Sequence, residues 1–208
     1  GTSSATPVLT AKYHELAADI NTVALWHLNE ASGNAADSSG NGITATPNGT
    51  TVVTGKIGNA RSINGGTDRL SASNTLLIHR TNDFTYEWWV KWNGTPGANN
   101  SYFENGTWVN SLLIRQDSTT GIGIYSMSVQ QGTFTFNPTV GTWYHLAIVR
   151  NGTTLYFYVD GSLRQTMAFS ADVNPSANLY IGSSQHTTGQ VINAVMDEIR
   201  ISNVARSP

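Results

Sequence analysis

The 208-residue chain contains no cysteine. That excludes a disulfide framework, a thiolate metal site and a thiol nucleophile, and it separates the protein from small secreted domains built on disulfides. Charge is scarce as well: Asp, Glu, Lys and Arg together make up 12% of residues, and the net charge is −2 at pH 7. No basic stripe marks a nucleic-acid groove. No apolar run approaches the ~20 residues of a membrane-spanning helix, so membrane insertion is not expected. Gly-x-Ser-x-Gly, His-x-His and His-Glu-x-x-His are all missing, which argues against a serine-nucleophile hydrolase and against a zinc centre. The chain begins at Gly1 and not at Met, as expected of a mature or excised piece whose targeting signal has been removed.

What is present is Gly, Asn, Ser and Thr in quantity, and short runs of β-branched and aromatic residues. Val23 to Leu28, Phe84 to Trp92, Trp143 to Arg150, Leu155 to Val159, Asn178 to Ile181 and Val195 to Ile201 read as strands. Asn-Gly recurs at 41–42, 48–49, 64–65, 93–94, 105–106 and 151–152, and Asp-Gly stands at 160–161. These dipeptides supply the positive φ angles of tight turns, so Trp143 to Val159 is expected to be a hairpin. Neither face of that hairpin is wholly polar, which places it inside a sheet and not at its edge. Four of the turns, at Asn48, Asn93, Asn105 and Asn151, also spell Asn-x-Thr; we read them as turns, not as glycosylation sites. The pattern makes the protein all-β, an antiparallel sandwich over residues 22–208. Residues 1–21 form a linker and a short amphipathic helix, with Tyr13, Leu16, Ala17 and Ile20 at helical spacing. That helix is expected to pack on the domain, with a trimerising neck as the alternative.

The closing segment carries two adjacent acids. Simple alternation puts Met196, Glu198, Arg200 and Ser202 on one face and Asp197, Ile199 and Ile201 on the other. A core-side carboxylate at Asp197 then needs a metal ion, a basic side chain or backbone amides as its partner.

Several segments together resemble the laminin G-like, or concanavalin A-like lectin, domains of bacterial and phage surface proteins. They are Leu25 to Glu30 with Ser32-Gly33 and Asp37 to Gly42, Gly55 to Ala60 through Ile63 to Gly65, Phe84 to Lys91, Trp143 to His145, Leu155 to Gly161, and Ile181-Gly182 leading into Asp197 to Ile201. The resemblance implies a jelly roll of two antiparallel sheets, often with a calcium ion near the rim and often with a glycan ligand. Calcium takes about 6 to 8 oxygen ligands. Asp37, Asn41, Asp197 and Glu30 are the candidates if the first strand pairs beside the last; otherwise Asp37 holds an Asx-type turn and Asp197 caps backbone amides.

The same fold includes glycoside hydrolases, which need two carboxyl groups facing each other across the scissile bond. No alternating run of acids supplies them, and Glu87 with Glu104 across strands is the remaining pair. His27 and His145 lie among aromatics and read as structural, hydrogen-bonded groups. Sugar recognition uses flat aromatic faces together with amide and charged groups. We expect Tyr102, Asn105, Trp108, Arg115, Tyr125 and Gln130 to form such a site, with Trp88, Trp89 and Trp143 assigned to packing. The reading is a non-catalytic module that binds a glycan or cell-surface polysaccharide outside the cell, on a bacterial surface or virion. The alternative is a structural module of a parent fibre or capsid whose exposed face contacts protein.

Overall fold

The computed structural model describes residues 14–73, 81–107, 110–173, 175, 177–185 and 189–207. Its strands are, in chain order, β1 (Thr22–Trp26), β2 (Thr46–Asn48), β3 (Thr51–Thr54), β4 (Asn59–Asn64), β5 (Arg69–Ala72), β6 (Phe84–Trp92), β7 (Asn100–Thr107), β8 (Asn110–Ser118), β9 (Gly121–Ser126), β10 (Val129–Thr135), β11 (Trp143–Asn151), β12 (Thr154–Val159), β13 (Ser162–Ala168), β14 (Leu179–Ile181) and β15 (Asn193–Ser202). They make two antiparallel sheets. The larger runs β13, β12, β11, β6, β15, β4, β3, with β1 also paired to β15; the other runs β10, β9, β8, β7, β14, β5, β2.

Alternation in β6 shows how the sequence builds the sandwich. Phe84, Tyr86, Trp88, Val90 and Trp92 fall on one side and are fully buried, while Thr85, Glu87, Trp89 and Lys91 turn to the other. Trp88 meets Phe103 of β7 with ring centroids 4.9 Å apart, and Tyr86 meets the same ring at 5.3 Å. Edge-on and tilted contacts of this kind are the preferred geometry of aromatic pairs, and here they bind sheet to sheet across the core. The expected hairpin is present: β11 and β12 pair from Leu146↔Val159 to Asn151↔Thr154, leaving Gly152 and Thr153 as the loop. β11 lies between β6 and β12, inside the sheet as expected. The first strand also pairs beside the last, with Leu25 opposite Arg200 and Trp26 opposite Ile199.

The acid pair of the last strand departs from simple alternation. Asp197 stands opposite Trp89 and Arg200 opposite Glu87, so three steps along β15 match two along β6. One extra residue is a β-bulge. Glu198 supplies it with a φ of +46°, in the left-handed region that non-glycine residues rarely adopt. Met196 before the bulge and Ile199 after it therefore both face the core, and Asp197 points to the outer side together with Trp89. Asp197 is nonetheless fully buried, because the 55–57 loop covers it. Its Oδ2 accepts from the backbone N–H of Lys56 (2.7 Å) and of Ile57 (2.9 Å), and its Oδ1 from the N–H of Glu198 (2.8 Å). Burial pushes its carboxyl up to about 7, with the charge of Glu198 adding to the rise and the three amides opposing it.

The short N-terminal helix is not formed. Residues 14–19 have no helical turn, Leu16 is half-buried and Ile20 is 96% exposed; Tyr13 lies outside the described residues. The physical reason is competition for the backbone. The Leu16 N–H donates to Glu198 Oε2 at 2.8 Å and the Ala17 carbonyl accepts from the Arg200 guanidinium at 2.7 Å. A two-turn helix has too few internal bonds to outweigh its nucleation cost, so capture by charged side chains prevails.

Gly55 is required by this anchor. A Cβ there would lie 2.6 Å from both the Asn59 carbonyl oxygen and Asp197 Oδ2. Gly55→Ala and Asp197→Ala are each expected to lower stability by about 2–4 kcal/mol, through overpacking in the first and unpartnered amides in the second. Urea unfolding checks this as a lower midpoint at unchanged slope.

Candidate functional site

The outward residues of the larger sheet form a groove across its centre. Its main depression, about 420 Å³, is lined by Lys56, Trp89, Trp143, His145, Asp160 and Gly161. It continues through His145 and Gly161 into a second hollow of about 180 Å³, where Glu87, Val149, Tyr158, Arg200 and Arg206 contribute. A third hollow of about 260 Å³ follows beside Tyr156 and the chain's last described residues, Ala205 to Ser207.

Strand register places the floor. Trp143 is opposite Lys91 and His145 opposite Trp89 on β11 and β6. Both tryptophans are half-buried, presenting part of each ring to solvent. The Lys56 ammonium lies 4.6 Å from the Trp89 ring centre, the Lys91 ammonium 5.1 Å from that of Trp143, and the His145 ring 5.3 Å from Trp89. The rim is set by the β12–β13 turn, where Asp160 and Gly161 have φ of +50° and +75°. There the His145 N–H donates to Asp160 Oδ1 (2.9 Å) and the Asp160 N–H to the His145 carbonyl (2.8 Å).

Glu87 ties the middle of the groove together. Its Oε1 accepts from Arg200 Nε at 2.7 Å and its Oε2 lies 3.3 Å from His145 Nε2. Burial raises the Glu87 carboxyl, but His145 and Arg200 outweigh it and hold the group below the usual glutamate range. At the far rim Arg206 donates to Asp19 (2.8 Å) and Ser202 Oγ (2.6 Å), and the guanidinium keeps the Asp19 carboxyl low.

The expected glycan residues fall into three groups. Tyr102 is fully buried, with its hydroxyl donating to Gln116 Oε1 (2.8 Å) and accepting from Trp92 Nε1 (3.1 Å); Asn105 is buried beside the Tyr86 hydroxyl. Neither reaches a ligand, because their strand turns them into the sandwich. Trp108 lies outside the described residues. Arg115, Tyr125 and Gln130 do come together, on the outer face of the second sheet around Asp117. Arg115 donates to Asp117 Oδ1 (2.6 Å) and to the Tyr125 hydroxyl (2.6 Å), while that hydroxyl and Gln130 both donate to Asp117 Oδ2 (2.9 Å each). These polar groups satisfy one another. The assignment of all three tryptophans to packing holds for Trp88 alone; Trp89 and Trp143 floor the groove. The signal for Trp89 was its position next to Trp88, since strand neighbours face opposite sides. His27 and His145 each sit beside a glutamate and keep 19% side-chain exposure.

The residues expected to hold calcium are engaged with the protein. Asp37 Oδ1 accepts from the N–H of Leu25 and Ser39, and Oδ2 from the Ile43 N–H and the Ser39 hydroxyl, all within 2.9 Å. Asn41 donates to the Thr22 and Val23 carbonyls, and Glu30 Oε1 accepts from the Ala36 N–H. Glu30 Oε2 alone is a buried carboxylate oxygen of this set without a partner. Among the described residues, the acids and histidines whose ligand atoms converge within 4.8 Å are Glu15, His27 and Glu198. The carboxylate oxygens of Asp37 and Asp197 are held by N–H and O–H donors, Asp37 in an Asx-type turn and Asp197 as an amide cap. The remaining hydrolase pair does not meet: Glu87 belongs to β6 of the larger sheet, and Glu104 to β7 of the other, where it accepts from Ser184 Oγ at 2.8 Å.

Two antiparallel sheets packed on an aromatic core, with an open groove on one outer face, define a β-sandwich of the jelly-roll class. Residues 64–208 match the model of the concanavalin A-like lectin/glucanases superfamily, and the chain belongs to it. By structure it is similar to domain 4 of AbnA, an extracellular GH43 arabinanase from Geobacillus stearothermophilus, solved in complex with arabinotriose (TM-score 0.71, 20% identity, 90% of this chain and 95% of that one). It is also similar to the binding domain of Paraclostridial Mosquitocidal Protein 1 (TM-score 0.69, 12% identity, 90% and 50%). A third similar structure is botulinum neurotoxin type C, whose cell entry depends on interaction with two ganglioside molecules (TM-score 0.69, 13% identity, 90% and 49%). The chain spans about half the length of these toxin structures. Identities at this level establish the fold alone. No curated protein matches the sequence.

Two outcomes are expected. Glu87 has a depressed carboxyl, so its contribution is complete above pH 4.5, the ordinary glutamate value, and is lost as pH falls through its lower value in the fold. Glu87→Gln should therefore flatten the acid limb of a stability profile below pH 4.5 and cost about 2 kcal/mol at neutral pH, discounted from a fully buried pair because His145 and Arg200 retain solvent access. Chelation with EDTA should move the melting temperature by less than about 2 °C, under ~1 kcal/mol for a chain of this size, as read by calorimetry.

Proposed function

We propose that this domain is a non-catalytic carbohydrate-binding module that takes a polysaccharide chain along the groove on the outer face of the larger sheet. The observation that carries the reading is the pair of half-exposed tryptophans, Trp89 and Trp143, in one open depression with Lys56, His145 and Asp160 around them. Indole faces pack against the apolar faces of sugar rings, and the surrounding polar groups meet hydroxyls. The similarity to an arabinanase domain solved with arabinotriose supports the same reading, because it extends over nearly the whole of both chains. Display outside the cell, on a bacterial surface or virion, is part of the proposal and is supported by that domain's extracellular parent and by the toxin binding domains. Calcium has no part in this mode of binding.

The test is a glycan panel followed by titration calorimetry of the hits. Trp89→Ala and Trp143→Ala should each weaken binding by about tenfold or more, the cost of an aromatic anchor at about 1.4 kcal/mol or above. Silence across bacterial and host polysaccharides, or affinity indifferent to both substitutions, overturns the proposal and favours a module that contacts protein only.

A further inference from the structure

The chain contains three lysines, and two of them stand over the two outward tryptophans. From this we infer that the groove selects an acidic polysaccharide, one carrying a carboxylate or a sulfate ester on successive sugar units; the inference rests on the glycan-groove reading above. Each lysine is placed by backbone structure. Lys91 lies opposite Trp143 in the β6–β11 ladder. Lys56 is delivered over Trp89 by the loop whose amides Asp197 binds. The result is two similar units, each an indole face with an ammonium above it. They are offset by one strand repeat, since Trp143 pairs with residue 91 and His145 with residue 89. Such diagonal neighbours lie about 7–8 Å apart, close enough for both indoles to face sugars of one chain.

The ammonium decides which sugars fit. A ring of either kind that stacks on an indole moves the ammonium toward the ring's edge, and a neutral sugar then gains only hydroxyl contacts from it. An acidic sugar pairs with the shifted ammonium and so offsets the lost cation–ring contact. Glu87 is committed to Arg200 and His145, and Asp160 gives Oδ1 to the His145 amide. Among the described residues, Lys91 has no acid partner within ion-pair distance.

The experiment titrates the full chain with oligogalacturonate, a sulfated galactan oligosaccharide and a neutral arabino-oligosaccharide, at low and high salt. At least one acidic oligomer should bind about tenfold or more tighter than the neutral one, with affinity falling as salt rises. Whichever acidic oligomer is preferred identifies the anionic group. Lys56→Gln and Lys91→Gln should each cost about fivefold on the acidic ligand and markedly less on the neutral one, which loses hydroxyl contacts alone, while Lys91→Arg restores acidic binding. Neutral oligomers bound as well as acidic ones, with no effect of the lysine substitutions but loss on Trp89→Ala, would overturn this inference and leave the glycan groove standing. No oligomer of any kind held in the groove overturns both.

Discussion

The carboxylate of Asp197 is the contact on which the rest of the molecule turns. It sits at the bulge of β15, the strand that pairs β6 on one side and both β4 and β1 on the other. Three backbone amides converge on it, two from the loop that leads from β3 into β4 and one from the bulge itself. A buried carboxylate without donors would be costly, and buried amides without an acceptor nearly as much so, which makes the pairing mutual. The left-handed backbone at Glu198 is tolerated because that residue is held as well. Its carboxylate takes the Leu16 N–H and lies 2.9 Å from His27 Nδ1.

The same bond joins architecture to the groove. The two amides that Asp197 accepts belong to Lys56 and Ile57, so the residue securing the strand junction also sets where the Lys56 side chain begins. Across the ladder its partner is Trp89, the ring that Lys56 covers. A structural acid, a loop and a groove residue therefore form one unit, in which moving the loop moves the cation over the indole. Binding groups mounted on central strands in this way keep their geometry better than groups on free loops.

Local pattern disclosed much of this. Period-two alternation with Asn-Gly and Asp-Gly turns located the hairpin from Trp143 to Val159, and a core-side acid in search of a partner drew attention to Asp197. What stayed hidden depends on contacts between distant residues. A bulge at Glu198 carries no Gly or Asn to announce it, so alternation put Asp197 on the wrong face. Helical spacing in residues 13–20 was real but lost to Glu198 and Arg200, which lie some 180 positions away. Tyr102 belongs to the expected glycan set, yet a register shift between Ser101 and Phe103 turns it inward with its neighbour, where its hydroxyl accepts from Trp92 and donates to Gln116. The groove lysines are scattered singly through the sequence and acquire meaning only when the β6–β11 register and the Asp197 loop bring them to the tryptophans.

Why the groove lies outside the sandwich follows from how the inside is filled. Trp26, Trp88, Trp92, Tyr86, Phe84, Tyr102, Phe103, Phe134 and Phe157 are all fully buried, and a core packed with so many rings leaves no room for a sugar between the sheets. An open groove can then form on an outer face alone, where polar side chains are held only if something shields and pairs them. The segments flanking the first and last strands do this. Residues 16 and 17 bind Glu198 and Arg200, and Arg206 reaches Asp19 while its N–H donates to Thr85. With residues 16–19 and 206 strapped to the outer rim, the larger sheet can bury Thr85 and Glu87 on a face that would otherwise be open to water, and the groove acquires walls from segments that contribute no strand of their own.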